Sequence, residues 1–370
     1  MKLLFFAGTL KGGGAERVLS VISSELAKRG HEITIALNKN ECAYELDSRI
    51  KLIAAPYFAQ KGKENVIQHF RRNLHNVKCF YSNTRNAIRL VQPDVIVTFL
   101  HCNMNAILLY HNTIPIVHSE HNAYDRNLGL IGKYNRFFLN RFFNKVFVLT
   151  PFDHGYAKAR RLHNTEVMPN PNSFQSISVE EYLSSLPQRK NILACGRIKQ
   201  WKIKGFDLAI EVFSKIAYMF PNVDLDIAGE GDDSSLIILE GKARELGIEE
   251  RVHFLGKRND IQGVMREHKL FILSSRTEGF PLVVTEAMTQ GLPCVAFDRL
   301  ASSIILDGID GALVSNYSID EMANVITRML NDDQYLQSCG LEAIKNVSRF
   351  SVEKIADKWE NTFSSLIEGC

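Results

Sequence analysis

No C-x-x-C pair occurs among the seven cysteines of this 370-residue chain. That absence argues against a disulfide framework or a thiolate zinc site, and for a reducing compartment. No run approaches the roughly 18 apolar residues that a membrane span requires. The opening "MKLLFFAGTLKGGGAER" has a short apolar run and no cleavage signature, so no signal peptide is expected. These absences together predict a cytoplasmic protein. The early glycines do not form G-x-G-x-x-G, and the next apolar run ends "ALNKN" with no acid to grip a ribose, which argues against a dinucleotide site. No Asp-x-Asp pair or histidine cluster is placed to suggest an obligatory metal, and no cofactor is expected. No nucleic-acid recognition module is visible either.

What is present is the composition of a globular protein, 45% hydrophobic and 23% charged. The length is about two domains' worth on the usual scale of roughly 100–200 residues each. A net charge of +3 hides an asymmetry. Residues 1–175 hold 23 Lys and Arg against 12 Asp and Glu, whereas the remainder holds 21 against 29. Halves of opposite sign suggest different partners for each.

Apolar runs of strand length alternate with helix-period segments. "KLLFFAG", "HEITIALN", "DVIVTFL", "IPIVHSE" and "KVFVLT" read as strands of a first set. "MPNPNSF" near residue 170 breaks the pattern as a linker, and "KNILACG", "VDLDIAG", "VHFLG", "KLFILSS" and "LPCVAF" form a second set. Such alternation means right-handed βαβ units and parallel sheets. The expected fold is α/β, with two Rossmann-like doubly wound domains facing a central cleft. The boundaries fall at 1–170 and 171–350, and residues 351–370 form a helix packing back toward the first domain. Ligands of such sheets lie beyond the carboxyl ends of the strands.

Three segments sit where that rule puts a ligand. "AGTLKGGGAERVL" follows a strand and opens a helix, whose free N–H groups favour an anion; alternatively the glycines only make a tight turn. "ACGRIKQWKIKGFDLAI" repeats the layout with a cationic loop, in which Arg197 and Lys204 can clamp a diphosphate while Lys199 and Lys202 remain solvated. "RTEGFPLVVTEAM" places Glu278 on a strand-exit loop and Glu286 inside the next helix, with Pro281 in its first turn. Both carboxylates can accept hydrogen bonds from hydroxyls, in which sugars and ribose are rich. The plainer alternative is a helix-start acid and a solvated one.

In order, these motifs resemble the family 4 retaining glycosyltransferases of the two-Rossmann-domain type called GT-B. The resemblance spans nearly the whole chain, and the E-x7-E element with the Arg and Lys before it is its most specific part. "GGGAERVLSVISSELAKRGHEI" looks like the bacterial members that build surface polysaccharides or lipid-linked oligosaccharides. The family implies that Glu286 binds the ribose of a nucleotide diphosphate sugar, most often UDP-linked. Glu278 is expected beside the donor sugar, with the backbone of Gly279, Phe280, Pro281 and Leu282 nearby. Arg197 and Lys204 match the pair that stabilises the diphosphate leaving group, Gly13 and Gly14 match the loop approaching it, and Lys257 is counted with the donor site. Arg197 and Lys204 lie further apart than the family's usual pair, which makes Lys202 a rival. In "IVHSEHNAY", His121 best matches the family's active-site histidine, with His118 the runner-up and Glu120 a contact to donor or acceptor. His101 and the remaining histidines are taken as structural.

The resemblance implies a first domain that binds a glycan acceptor, polyprenyl-diphosphate-linked, and a second that binds the donor. It also implies a front-face mechanism with retention and no obligatory metal. Segments 70–90 and 126–146 mix Arg and Lys with Phe, Tyr and Leu, which suits peripheral contact with an anionic membrane on its inner face. Core aromatics are the alternative for 134–143. The rival functions are a non-catalytic nucleotide-sugar-binding subunit and a related two-domain phosphorylase or epimerase.

Overall fold

The computed structural model describes residues 1–39, 41–55, 66–100, 102, 104–124 and 129–369. They form two compact units, one of residues 1–171 with 352–370 and the other of residues 172–351. Each unit is built on one parallel sheet with helical crossovers, because buried apolar runs must cover both faces.

The first sheet contains β1 (Lys2–Ala7), β2 (Glu32–Leu37), β3 (Lys51–Ala54), β4 (Val95–Phe99), β5 (Ile116–Ser119), β6 (Lys145–Val148) and β7 (Thr165–Val167). Their spatial order is β3-β2-β1-β4-β5-β6-β7. The order reverses between β1 and β4, where Leu3 pairs with Val95. The helix Gly14–Lys28 follows β1 and buries Val18, Leu19, Ile22 and Leu26, an i, i+3, i+4 stripe.

The helix Val352–Glu368 belongs to this first unit. Trp359, almost fully buried, lies 4.8 Å from the ring of Phe147, 6.0 Å from Phe99 and 6.3 Å from Phe5. It therefore covers side chains of β6, β4 and β1 together. Polar contacts fix its register. Arg29 donates to Asp357 at 2.6 Å and also to Glu360, while the His31 ring meets the second Glu360 oxygen at 2.6 Å.

The second sheet contains β8 (Ile192–Cys195), β9 (Leu225–Ala228), β10 (Val252–Gly256), β11 (Leu270–Leu273), β12 (Cys294–Phe297) and β13 (Gly311–Val314), in the order β10-β9-β8-β11-β12-β13. Its reversal falls between β8 and β11, paired through Leu270 and Ile192. Among the described residues no helix is long and apolar enough to cross a membrane.

Candidate functional site

In the second unit the basic loop leaves β8 and the glutamate loop leaves β11, so both issue from the carboxyl ends of neighbouring strands. That is the point where the sheet order reverses and a crevice must open. A short helical turn, Trp201–Lys204, ends at Gly205 in the left-handed conformation, φ 65°. A Cβ at Gly205 would lie 1.8 Å from the carbonyl oxygen of Ser274, so only glycine lets the two loops touch.

The contact is then tied by hydrogen bonds. The Arg276 amide donates to the Ile203 carbonyl at 2.8 Å, and its guanidinium donates to the Lys202 carbonyl at 2.6 Å. The same guanidinium grips Asp207 through two bonds of 2.8 and 2.7 Å. The Tyr317 hydroxyl holds the Arg276 carbonyl at 3.1 Å.

This scaffold sorts the cations. Lys204 is half-buried, and its ammonium donates to Glu278 Oε1 at 2.8 Å. Ser275 donates to the same oxygen at 2.7 Å. Lys202 points to solvent, with its ammonium 5.2 Å from the Trp201 ring centre. Arg197 is exposed at the start of the loop. Lys257 follows edge strand β10, with β9 between it and β8.

Glu286 is buried within the helix Leu282–Thr289. Burial, and after it the Glu286 charge, push the thiol of Cys195 at the end of β8 well above its usual range. Pro281 is the residue before this helix and not part of its first turn, with Phe280 buried just ahead of it. Arg197, Lys204, Glu278, Gly279 to Leu282 and Glu286 thus belong to one end of one sheet. The arrangement offers cations for a phosphate and carboxylates for hydroxyls. The single Asp-x-Asp pair lies elsewhere, with Asp224 held by Arg251 at 2.7 Å and Asp226 by His268 at 2.8 Å.

The first unit presents its own carboxyl-end loops. Gly13 caps the helix that Gly14 begins, and the Tyr44 hydroxyl lies 3.0 Å from both the Gly13 amide and its carbonyl. His121 stands just past β5 and stacks on Phe99 at 4.8 Å with 15° between planes. The Ser119 hydroxyl is 3.0 Å from its Nε2, and the Asn170 side chain also lies close to the ring. His118, by contrast, is fully buried within β5, against Phe143 at 5.3 Å.

Glu120 is buried. Its Oε2 accepts from the Arg136 guanidinium at 3.0 Å, and its Oε1 accepts from the Asn122 amide at 3.1 Å. Arg136, counted by its charge with a membrane-facing surface, is fully buried. It also donates to the carbonyls of Ala123 and Tyr124 at 3.1 and 2.7 Å, fastening the loop that carries His121. His101, and residues 126–128 of the second basic segment, lie outside the described residues. Tyr44, Asn170 and Ser275 carry no motif, and nothing in the sequence singles them out.

Burial holds the His121 pKa down to about 4, although the nearby Glu120 charge raises it. The unfolded chain titrates near 6.5. It therefore takes up a proton that the folded chain refuses, so this contribution to stability is complete above pH 6.5, falls between 6.5 and about 4, and is flat below. His121→Phe keeps the stack on Phe99. The difference in melting temperature between wild type and this variant is expected to change across that window and nowhere else. A constant difference from pH 7 to 4 would show that the ring titrates normally.

Residues 12–171 match the model of Glycosyltransferase Family 4, and residues 189–332 match that of Glycosyl transferases group 1. An uncharacterized glycosyltransferase of Haemophilus influenzae is 26% identical, over 97% of this chain and 99% of that protein. The Campylobacter jejuni GalNAc-alpha-(1->4)-GalNAc-alpha-(1->3)-diNAcBac-PP-undecaprenol alpha-1,4-N-acetyl-D-galactosaminyltransferase is also 26% identical, over 97% of each chain. Among solved structures, Anabaena HepE in complex with UDP superposes with a TM-score of 0.76 at 19% identity, covering 99% of this chain and all of that one. The chain belongs to the GT-B glycosyltransferases that join a family 4 domain to a group 1 domain.

Proposed function

We propose that this glycosyltransferase moves a hexose or N-acetylhexosamine from a UDP-sugar to a lipid-linked or polysaccharide acceptor, with retention and without an obligatory metal. The observation that carries the reading is the gathering of Arg197, Lys204, Glu278 and Glu286 at the carboxyl ends of β8 and β11. In this reading Arg197 and Lys204 take the diphosphate, Glu286 the ribose and Glu278 the donor sugar. The bond from the anomeric carbon to the diphosphate breaks as the acceptor oxygen bonds to that carbon from the same face. The acceptor proton passes to the departing phosphate oxygen. The protein supplies charge stabilisation and alignment. His121, neutral at pH 7, holds a sugar hydroxyl. HepE, whose structure was solved with UDP, supports the nucleotide, and the undecaprenol-linked substrate in the Campylobacter enzyme's name supports the acceptor. The basic first half supports peripheral contact with an anionic inner leaflet.

A panel of nucleotide sugars, read by thermal stabilisation, identifies the donor, since a ligand at 100 times its Kd adds about 2.7 kcal/mol. With that donor the two glutamates are expected to differ. Glu286→Gln chiefly weakens nucleotide affinity, whereas Glu278→Gln lowers the rate with a smaller change in affinity. Equal UDP affinity in wild type and Glu286→Ala would remove the ribose role.

A further inference from the structure

The helix Leu130–Phe137 and the turn Leu139–Phe142 that continues it carry two apolar faces. The inward face is already filled. Arg136, Leu139, Asn140 and Phe143 are all buried, and the Asn140 amide donates to the Tyr124 hydroxyl at 3.1 Å. The second face recurs every four residues at Leu130, Tyr134, Phe138 and Phe142, which are 87, 50, 48 and 45% exposed. Tyr134 stacks on Phe138 with ring centres 5.1 Å apart, and Phe138 meets Phe142 edge-on at 5.4 Å. Tyr134, Phe138 and Phe142 therefore form one continuous stripe, and Leu130 lies about 6 Å further along the helix at 1.5 Å per residue. Lys133 and Arg141 are exposed beside it. Contiguous exposed aromatic surface marks an interaction site.

We propose that this stripe is a lipid-insertion element, lying in the headgroup region of an anionic membrane with Leu130, Phe138 and Phe142 in the acyl boundary. Tyr134 suits the level where a ring is buried and its hydroxyl stays wet. Lys133 and Arg141 extend their stems past the rings and set their charges among lipid phosphates. An element of this kind enters to about 5–10 Å. The flanking cations select a lipid surface over a second copy of this chain, because two such stripes would face each other with like charges. The inference deepens the membrane contact proposed above and rests on that reading. Its test measures partition and not turnover, so loss of one does not imply loss of the other.

The full chain is mixed with phosphatidylcholine vesicles, with and without phosphatidylglycerol, and floated at low and high salt. Wild type is expected to float with the anionic vesicles and to leave them as salt rises. Phe138→Ser with Phe142→Ser is expected to lower partition about a hundredfold, roughly tenfold per ring, with melting temperature and UDP affinity unchanged. Lys133→Gln with Arg141→Gln is expected to lower binding to anionic vesicles only. Phe138→Trp reports directly, since its emission shifts to the blue when vesicles are added. Unshifted emission, or a double serine variant that still floats, overturns the assignment. So does a wild-type dimer in sedimentation that the double serine variant abolishes, because the stripe would then be covered by a second copy. Retention of wild type on immobilised polysaccharide without vesicle binding, lost with the same rings, would also overturn it in favour of a glycan platform.

Discussion

Lys204→Ala is expected to lower turnover about a hundredfold or more, the usual cost of removing one donor from a developing charge in a water-poor site. Lys202→Ala is expected to leave turnover near wild type. The two lysines are two residues apart and carry the same charge, so the difference must come from geometry. Lys204 reaches Glu278 at 2.8 Å, while Lys202 lies over the Trp201 ring in solvent. The Lys204 ammonium is thereby held where the two loops meet, and its partner carboxylate is fixed by Ser275 at 2.7 Å. On the proposed reading, an entering donor's diphosphate would offer the ammonium a stronger anion and release Glu278 toward the sugar hydroxyls. A partly exposed ion pair contributes only about 0–1 kcal/mol to folding. The melting temperature of Lys204→Ala should therefore stay close to wild type. Steady-state UDP release and thermal melting on the same preparation separate the two effects. A silent Lys204→Ala beside a damaging Lys202→Ala would transfer the phosphate role to Lys202.

The strands that the sequence reveals and those it hides differ by position in the sheet. The interior strands β1, β2, β4, β5, β6, β8, β9, β11 and β12 are apolar runs that stand out because both faces are covered. Of the edge strands, β10 is legible in "VHFLG", while β3, β7 and β13 escape notice. Each is three or four residues long and lies at a sheet margin, and the β3 side chains are largely exposed. Lys51 in β3 and Glu166 in β7 break the apolar run, whereas β13 is apolar and mostly buried. The site shows a similar division. Glu278 and Glu286 are legible because a glycine, a proline and a helix start fix their surroundings. Spacing alone cannot choose between Lys202 and Lys204, since the turn ending at Gly205 decides which ammonium points inward. Asn170 and Ser275 act through positions that only the folded chain brings to His121 and Glu278. In segment 130–143 both stripes contain apolar residues, and the sequence does not show that the stripe with an arginine is the buried one.

That arginine carries the second large effect. Arg136→Glu is expected to destabilise the first unit by about 3–5 kcal/mol, the cost of leaving a buried charge without its partner. At roughly 2–4 °C per kcal/mol for a unit of this size, the melting temperature should fall by about 10 °C. The guanidinium is fully buried, bonded to Glu120 and to two carbonyls, and lies 4.7 Å from the Tyr124 ring centre. Reversal sets two carboxylates side by side away from water and strips the 120–124 loop of its donors. Arg141→Glu, on the exposed side, should stay within about 0.5 kcal/mol of wild type. Glu120→Leu with Arg136→Met tests what the pair is for. Replacing a buried ion pair by apolar groups of similar volume is often neutral, so this double variant should melt near wild type. Its turnover should nevertheless fall, because the loop bearing His121 has lost the bonds that hold it. Thermal melting and UDP release measure the two quantities separately. An Arg136→Glu chain melting like wild type would mean that this guanidinium reaches solvent, and a fully active double variant would reduce the pair to packing.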